Sequence, residues 1–162
     1  MQQNRSHFQT PEQVIADFAL LLDLESRGAD RFVGRRRVNF TRGIFGGQAI
    51  AQALVAARRT VPSEFFVHSL HAYFLRSGSS ERPIEFRVKR DLDGRSFYNR
   101  RVVASQDGEA ILNLTASFQK LQSGLEHQQV AIPAVPPPEE LVSDDVARRE
   151  IAEHVTDETM RR

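Results

Sequence analysis

Phe45-Gly46-Gly47-Gln48-Ala49-Ile50-Ala51-Gln52-Ala53-Leu54-Val55-Ala56-Ala57, followed closely by His68-Ser69-Leu70-His71-Ala72-Tyr73-Phe74-Leu75-Arg76, is the stretch that decides the fold. The first piece reads as an apolar helix opened by two glycines, the second as a buried strand. Ile50, Ala53, Leu54 and Ala57 recur at helical spacing, while Ala49, Ala51, Val55 and Ala56 leave no continuous polar face. A helix apolar almost all round belongs inside something. Its expected span is Gly47 to Arg59: Arg58-Arg59 complements the dipole at its C-terminus, and Pro62 stops it.

Beyond this helix the period changes to two. Val67 to Leu75 is a mostly apolar strand, and Ile84, Phe86 and Val88 alternate with Glu85, Arg87 and Lys89. Asp93-Gly94 and Asp107-Gly108 are hairpin signals. Between them Tyr98, Arg100, Val102 and Ala104 alternate with Phe97, Asn99, Arg101 and Val103. The last strand, Ala110 to Phe118, sends Leu112, Leu114, Ala116 and Phe118 to one face. Upstream, Arg31 to Asn39 reads as a first strand. Before it, Thr10-Pro11-Glu12-Gln13 opens a helix as a capping box, with Val14, Phe18, Leu21 and Leu22 as its stripe and Gly28 closing the segment. One buried helix with about five antiparallel strands predicts an α+β fold.

From Ser123 the composition shifts. Ile132-Pro133-Ala134-Val135-Pro136-Pro137-Pro138 reads as an extended spacer, and Glu139 to Val155 as a short amphipathic helix through Leu141, Val142, Val146 and Ile151. The expected organisation is a flexible terminus over 1–10, one domain over 11–122 and a linker with a short helix over 123–162.

Composition narrows the function classes. Of 162 residues 40% are hydrophobic and eleven are Phe, enough for a core. A net charge of +1 gives no reason to expect nucleic-acid binding. No apolar run approaches the roughly 18 residues of a membrane helix. There is no cysteine, which excludes disulfides, a thiol nucleophile and a thiolate metal site, and fits a reducing, cytoplasmic setting. Arginine outnumbers lysine twenty to two. That bias reads first as solvated surface, and as a phosphate site second.

Several residues stand out as chemistry. Gly46 and Gly47 let backbone N–H groups approach a ligand at a helix start, where the dipole favours negative charge. Their plainer reading is a tight strand-to-helix turn. Gln48 and Gln52 donate hydrogen bonds but take up no proton near neutral pH. Thr41 to Ser63 contains no Asp or Glu, so this segment offers no general base. His68 and His71, three apart on a strand, are expected on opposite faces, which argues against a two-histidine metal site. Neither belongs to a Ser-and-acid constellation. Arg35-Arg36-Arg37 and Arg100-Arg101 read as solvated charge runs, Asp91 and Asp93 as solvated turn residues, and Phe97 and Tyr98 as core or interface.

The helix and strand quoted above resemble the thioesterase II family of acyl-CoA thioesterases, the bacterial enzymes and their peroxisomal relatives. Further runs carrying the likeness are Phe32-Val33-Gly34, Asp93-Gly94-Arg95-Ser96-Phe97, Arg100-Arg101-Val102, Thr115-Ala116-Ser117-Phe118-Gln119 and Glu126-His127-Gln128. They cover roughly residues 18 to 130, in the family's order. The resemblance implies two fused hotdog domains, each a long helix wrapped by a curved antiparallel sheet, and it reaches only the first. In the family the Asp, Thr and Gln that activate water lie in the second domain, so no catalytic residue is assigned in this chain.

The expectation is therefore the N-terminal half of an enzyme that hydrolyses acyl-CoA to free fatty acid and CoA. This half would supply scaffold and part of the cleft, with little activity alone. Gly46, Gly47, Gln48, His68 and His71 are the candidate substrate-binding residues, with one histidine in the core or interface and the other in the acyl or CoA tunnel. The arginine runs have CoA phosphates as their alternative role. Expected partners are acyl-CoA and either a second hotdog domain or another copy of the chain; no metal or other cofactor is implied. The rival is a non-catalytic acyl-CoA-binding or assembly module acting as a homodimer. A hydratase on the same fold needs an Asp and His pair near the helix entrance, and the acid-free stretch speaks against it.

Overall fold

The computed structural model describes residues 10–35 and 43–154, in two compact units divided between Ser123 and Gly124. The first unit opens with helix α1 (Pro11–Leu22). Its capping box forms as expected: Thr10 Oγ1 accepts from Gln13 N at 3.3 Å, and Gln13 Oε1 accepts from Thr10 N at 2.8 Å. The helix buries no residue completely; Val14 and Phe18 are exposed, while Leu21 and Leu22 are half-buried.

Six strands follow: β1 (Glu25–Ser26), β2 (Arg31–Gly34), β3 (Phe65–Phe74), β4 (Ile84–Asp93), β5 (Phe97–Gln106) and β6 (Glu109–Lys120). All pair antiparallel in the order β1-β2-β4-β5-β6-β3. The sixth strand, not expected from periodicity, is the two-residue β1, too short to show a pattern. Its hairpin with β2 turns through Gly28 at φ 106° and Asp30 at φ 59°. Asp30 also grips Arg90, and that hydrogen-bonded contact raises the Arg90 pKa above its ordinary value. The expected Arg31–Asn39 strand stops at Gly34, and its residues 36–39 lie outside the described residues. Asp107-Gly108 turns as expected, both residues in the left-handed region at φ 50° and 81°.

Helix α2 (Gly46–Arg58) lies against one face of the sheet. Its alanines do the close packing. Ala53, Ala56 and Ala57 have no exposure, against an inner sheet face of Phe86, Val102, Leu112, Leu114, Ala116 and Phe118. Small side chains let the helix axis sit near the sheet, so Leu54, larger, is only half-buried at the margin. Gly34 marks the closest approach: a Cβ there would lie 2.6 Å from Gln52 Oε1 and 2.9 Å from the Phe86 ring. At the other end Arg58 closes the helix by donating to the carbonyls of Val61, Pro62 and Ser63.

One residue departs from its expected place for a clear reason. Arg100, read as part of a solvated run, is fully buried. Its position is in phase with Val102 and Ala104, so the pleat sends it inward. There the guanidinium donates to Thr60 Oγ1 (2.7 Å), Thr60 O (2.9 Å), Leu92 O (2.9 Å) and Asn99 O (2.8 Å), and to the Asp93 carboxylate. Asp93 is thus the counter-ion of a buried cation rather than a solvated turn acid. Arg101, next in sequence, faces out and pairs with Asp91.

The second unit holds an extended stretch, a single 3-10 turn (Pro138–Glu140) and helix α3 (Asp144–His154). Leu125, Val130, Ile132, Val135, Leu141 and Val142 are exposed. Among the described residues no helix is long and apolar enough to cross a membrane.

Candidate functional site

Helix α2 begins without a side-chain cap, because its N-cap position is Phe45 and supplies no hydroxyl or carboxylate. Gln48 N and Ala49 N are satisfied by Phe45 O at 3.0 and 3.4 Å. The amides of Gly46 and Gly47 precede them, in the first turn, where N–H groups have no intrahelical acceptor. Both glycines are crowded by aromatic rings. A Cβ on Gly46 would fall 2.9 Å from Phe74 of β3, and one on Gly47 would fall 2.5 Å from the ring of Phe45. Glycine at these positions therefore has a packing reason as well as any binding one.

Beside this helix start is a hollow of about 440 Å³, lined by Gly46, Ala49, Phe74, Gly78, Ile111 and Leu112 among others. A bulge in the β5–β6 ladder turns both Ile111 and Leu112 inward and so widens the apolar floor. Phe45 and Phe74 are 72% and 58% exposed. The exposed ring of Phe74 thus stands in the lining of the hollow, while the exposed ring of Phe45 lies against Gly47 and outside that lining.

Of the five residues singled out from sequence, Gly46 lines this hollow. Gly47 lies behind the Phe45 ring, and Gln48 is buried, with its amide directed at the Arg35 carbonyl at 3.4 Å. The two histidines are elsewhere, and not on opposite faces as their spacing predicts. The register of β3 on β6 shifts between Val67 and Ser69, so that the bulge places His68 and His71 together on the outer face. His68 Nε2 is 2.9 Å from Ser117 Oγ, with its ring edge-on to Phe97, and the His71 ring meets that of Tyr73. Among the described residues no base-and-nucleophile set converges on the helix start.

Next to the helix start, sequence reasoning left the buried amide of Gln52 undeveloped. Gln52, without exposure, donates from Nε2 to Leu21 O at 2.8 Å and Arg35 O at 3.2 Å, tying α1 and the end of β2 to the helix. Those two acceptors fix its amide orientation, and among the described residues Oε1 is left without a partner. Its position four residues after Gln48 on an otherwise apolar helix was the available signal. Among the described residues no group of three or more His, Cys, Asp or Glu side chains could hold a metal.

The sheet's last strand is open. Among the described residues β3 pairs only with β6, and the other edge of this ten-residue strand has no partner strand. Phe66, Val67, Leu70, Tyr73, Phe74 and Leu75 are all more than 40% exposed along it. A long apolar edge of this kind is a pairing surface.

Comparison with known proteins places these features in a family context. A family model described as acyl-CoA thioesterase N-terminal domain matches residues 35–119. The rat protein acyl-coenzyme A thioesterase 8 is 43% identical over 126 residues, covering 77% of this chain and 39% of the relative. Acyl-CoA thioesterase 2 of Haemophilus influenzae is 40% identical over 131 residues, covering 81% of this chain and 43% of the relative. This chain thus spans less than half the length of these curated relatives. Among solved structures, an acyl-CoA thioesterase II of Mycobacterium marinum superposes with a TM-score of 0.67 at 46% identity, over 75% of this chain and 45% of the other. A hotdog-fold protein of Alicyclobacillus acidocaldarius matches with a TM-score of 0.63 at 24% identity, over 79% of this chain and 50% of the other, a likeness of fold alone.

Proposed function

Because this chain belongs to the acyl-CoA thioesterase N-terminal domain family and has its hotdog fold, we propose that it is the first half of a cytoplasmic enzyme that hydrolyses acyl-CoA to a free fatty acid and CoA. The observation that carries the reading is the uncapped, glycine-led start of α2 beside a hollow lined by Gly46, Ala49, Ile111, Leu112 and the exposed ring of Phe74. Thioester hydrolysis builds negative charge on the carbonyl oxygen, and preorganised N–H donors at a helix start stabilise it. The first-turn amides of Gly46 and Gly47 supply such donors, and the ring of Phe74 with Ile111 and Leu112 offers apolar cover for an acyl chain. In this reading Gln48 and Gln52 position α2, and His68 and His71 serve an outer contact surface.

The helix supplies no general base, since its polar members are two glutamines and the cationic Arg58. Water activation is therefore assigned to a second hotdog domain, which would also cover the open edge of β3. A second copy of the chain is the alternative cover. That edge favours the rival reading, in which a homodimer binds acyl-CoA without turning it over. Free-thiol release from acyl-CoA separates the two: the enzyme reading expects hydrolysis when the second domain is present, the module only saturable binding. Gly47→Val in a two-domain protein tests the helix start. A folded variant with unchanged turnover would make it a scaffold turn only.

A further inference from the structure

On the sheet face opposite α2 there is a second hollow, about 580 Å³, with Arg31, Arg87, Glu85, Val103 and Ser105 in its lining. The pleat explains the set. Phe32, Phe86, Val102 and Ala104 point inward to the helix, so their neighbours Arg31, Arg87 and Val103 point out. Arg31 of β2 and Arg87 of β4 are direct cross-strand partners. Residues so placed have Cβ atoms roughly 4.5–5.5 Å apart, and like charges directly opposite are destabilising. Other cations on this face are neutralised: Lys89 and Arg101 share Asp91, and Arg27 is held by Glu25. Arg31 and Arg87 have no ion-pair partner among the described residues, and Glu85, diagonal to Arg31, reaches neither.

We infer that the Arg31–Arg87 pair is a phosphate-binding site for the nucleotide end of acyl-CoA, on the outer face of the sheet. This rests on the proposed acyl-CoA reading and adds a second contact region to it. A phosphomonoester carries about −1.5 to −2 charges near neutral pH, and two guanidinium forks can each grip two of its oxygens. Binding it converts the repulsion between the two arginines into a shared attraction. Ser105 adds a hydroxyl donor, and Val33 and Val103 give an apolar floor for a ring.

The two hollows also lie at one end of the sheet. Ile111 and Leu112 line the inner hollow and Ala110 the outer one, while Gly78 and Pro83 of a single connecting loop line one each. From β6 across β5 and β4 to β2 is three strand spacings, about 14 Å. A long substrate with its thioester at the helix start can bring its phosphates there round that end.

Titration of the full chain with adenosine 3′,5′-bisphosphate, which has no thioester, followed by calorimetry and by amide chemical shifts, tests the site. The expected result is saturable binding that perturbs β2 and β4. It should weaken at least tenfold in Arg31→Ala and in Arg87→Ala, tighten severalfold in Glu85→Gln, and stay unchanged in Gly47→Val. Inorganic phosphate should bind the same residues more weakly. No binding, binding indifferent to both arginine substitutions, or binding no tighter than inorganic phosphate would each overturn the assignment. In a two-domain protein, Arg87→Ala should raise KM for acyl-CoA without changing kcat, and leave the corresponding acyl-pantetheine thioester unaffected. A protein with no hydrolysis at all would remove the enzyme reading, while the bisphosphate titration would still decide the site.

Discussion

Deleting Asp93 should cost more than deleting the arginine it neutralises. Arg100 is fully buried, whereas the Asp93 side chain is 46% exposed. In Asp93→Ala the guanidinium keeps its neutral acceptors on Thr60, Leu92 and Asn99 but loses its counter-charge inside the core. An uncompensated buried charge of this kind costs about 3–5 kcal/mol. Arg100→Met removes the charge, keeps much of the volume and leaves Asp93 free to hydrate. Thr60 Oγ1 retains its bond to Ala57 O, and of the three carbonyls that lose a donor those of Leu92 and Asn99 are only part-buried, so the main loss is the buried Thr60 carbonyl, about 1–3 kcal/mol. The double substitution then costs about as much as Arg100→Met alone, so Arg100→Met should recover stability in the Asp93→Ala background. Urea unfolding followed by circular dichroism measures this. With a slope of about 1–3 kcal/mol per M, Asp93→Ala should lower the midpoint by more than about 1 M, and the second change should raise it again. If the two losses simply add, or Asp93→Ala unfolds like the parent, the pair is not the buried charge balance described.

Further outcomes follow from packing. Ala53→Leu, at an unexposed position of α2, overpacks the helix–sheet contact and should cost about 1–3 kcal/mol in thermal unfolding, more than Leu54→Ala at the half-buried margin. Gly34→Ala should lose a similar amount, since neither Gln52 nor Phe86 has room to withdraw. Light scattering of the chain alone should show a dimer or larger species through the β3 edge, in an interface of at least roughly 1,000 Å². A stable monomer at high concentration contradicts that. Phe66→Lys on this edge should shift any association toward monomer without unfolding the chain.

How much of this was legible differs between fold and site. The α2 helix, the β4–β5 and β5–β6 hairpins and the capping box at Thr10 follow from local chemistry, and the structure places them within a residue or two. Arg100 was legible in principle, because its phase with Val102 and Ala104 already pointed inward; the adjacent Arg101 disguised it as part of a surface run. The histidines were not legible. Their common face depends on a bulge at Val67/Ser69, and one inserted residue reverses every parity argument downstream. Nor could the sequence show that Phe74, nearly thirty residues after Gly46, would lie on that glycine. That contact belongs to the closure of β3 onto the helix start.

The most direct test of the account is the rate of free-thiol release from acyl-CoA by residues 1–162 alone, set against a protein that also carries the second hotdog domain. A well-placed general base contributes typically 10²–10⁴-fold, and the glycine-led helix has none. The isolated chain should therefore be at least about a hundredfold slower, with activity restored when the second domain is supplied, fused or separate. Full turnover by the isolated chain would contradict the account, and would turn attention to His68, His71 and Gln48 acting across a homodimer.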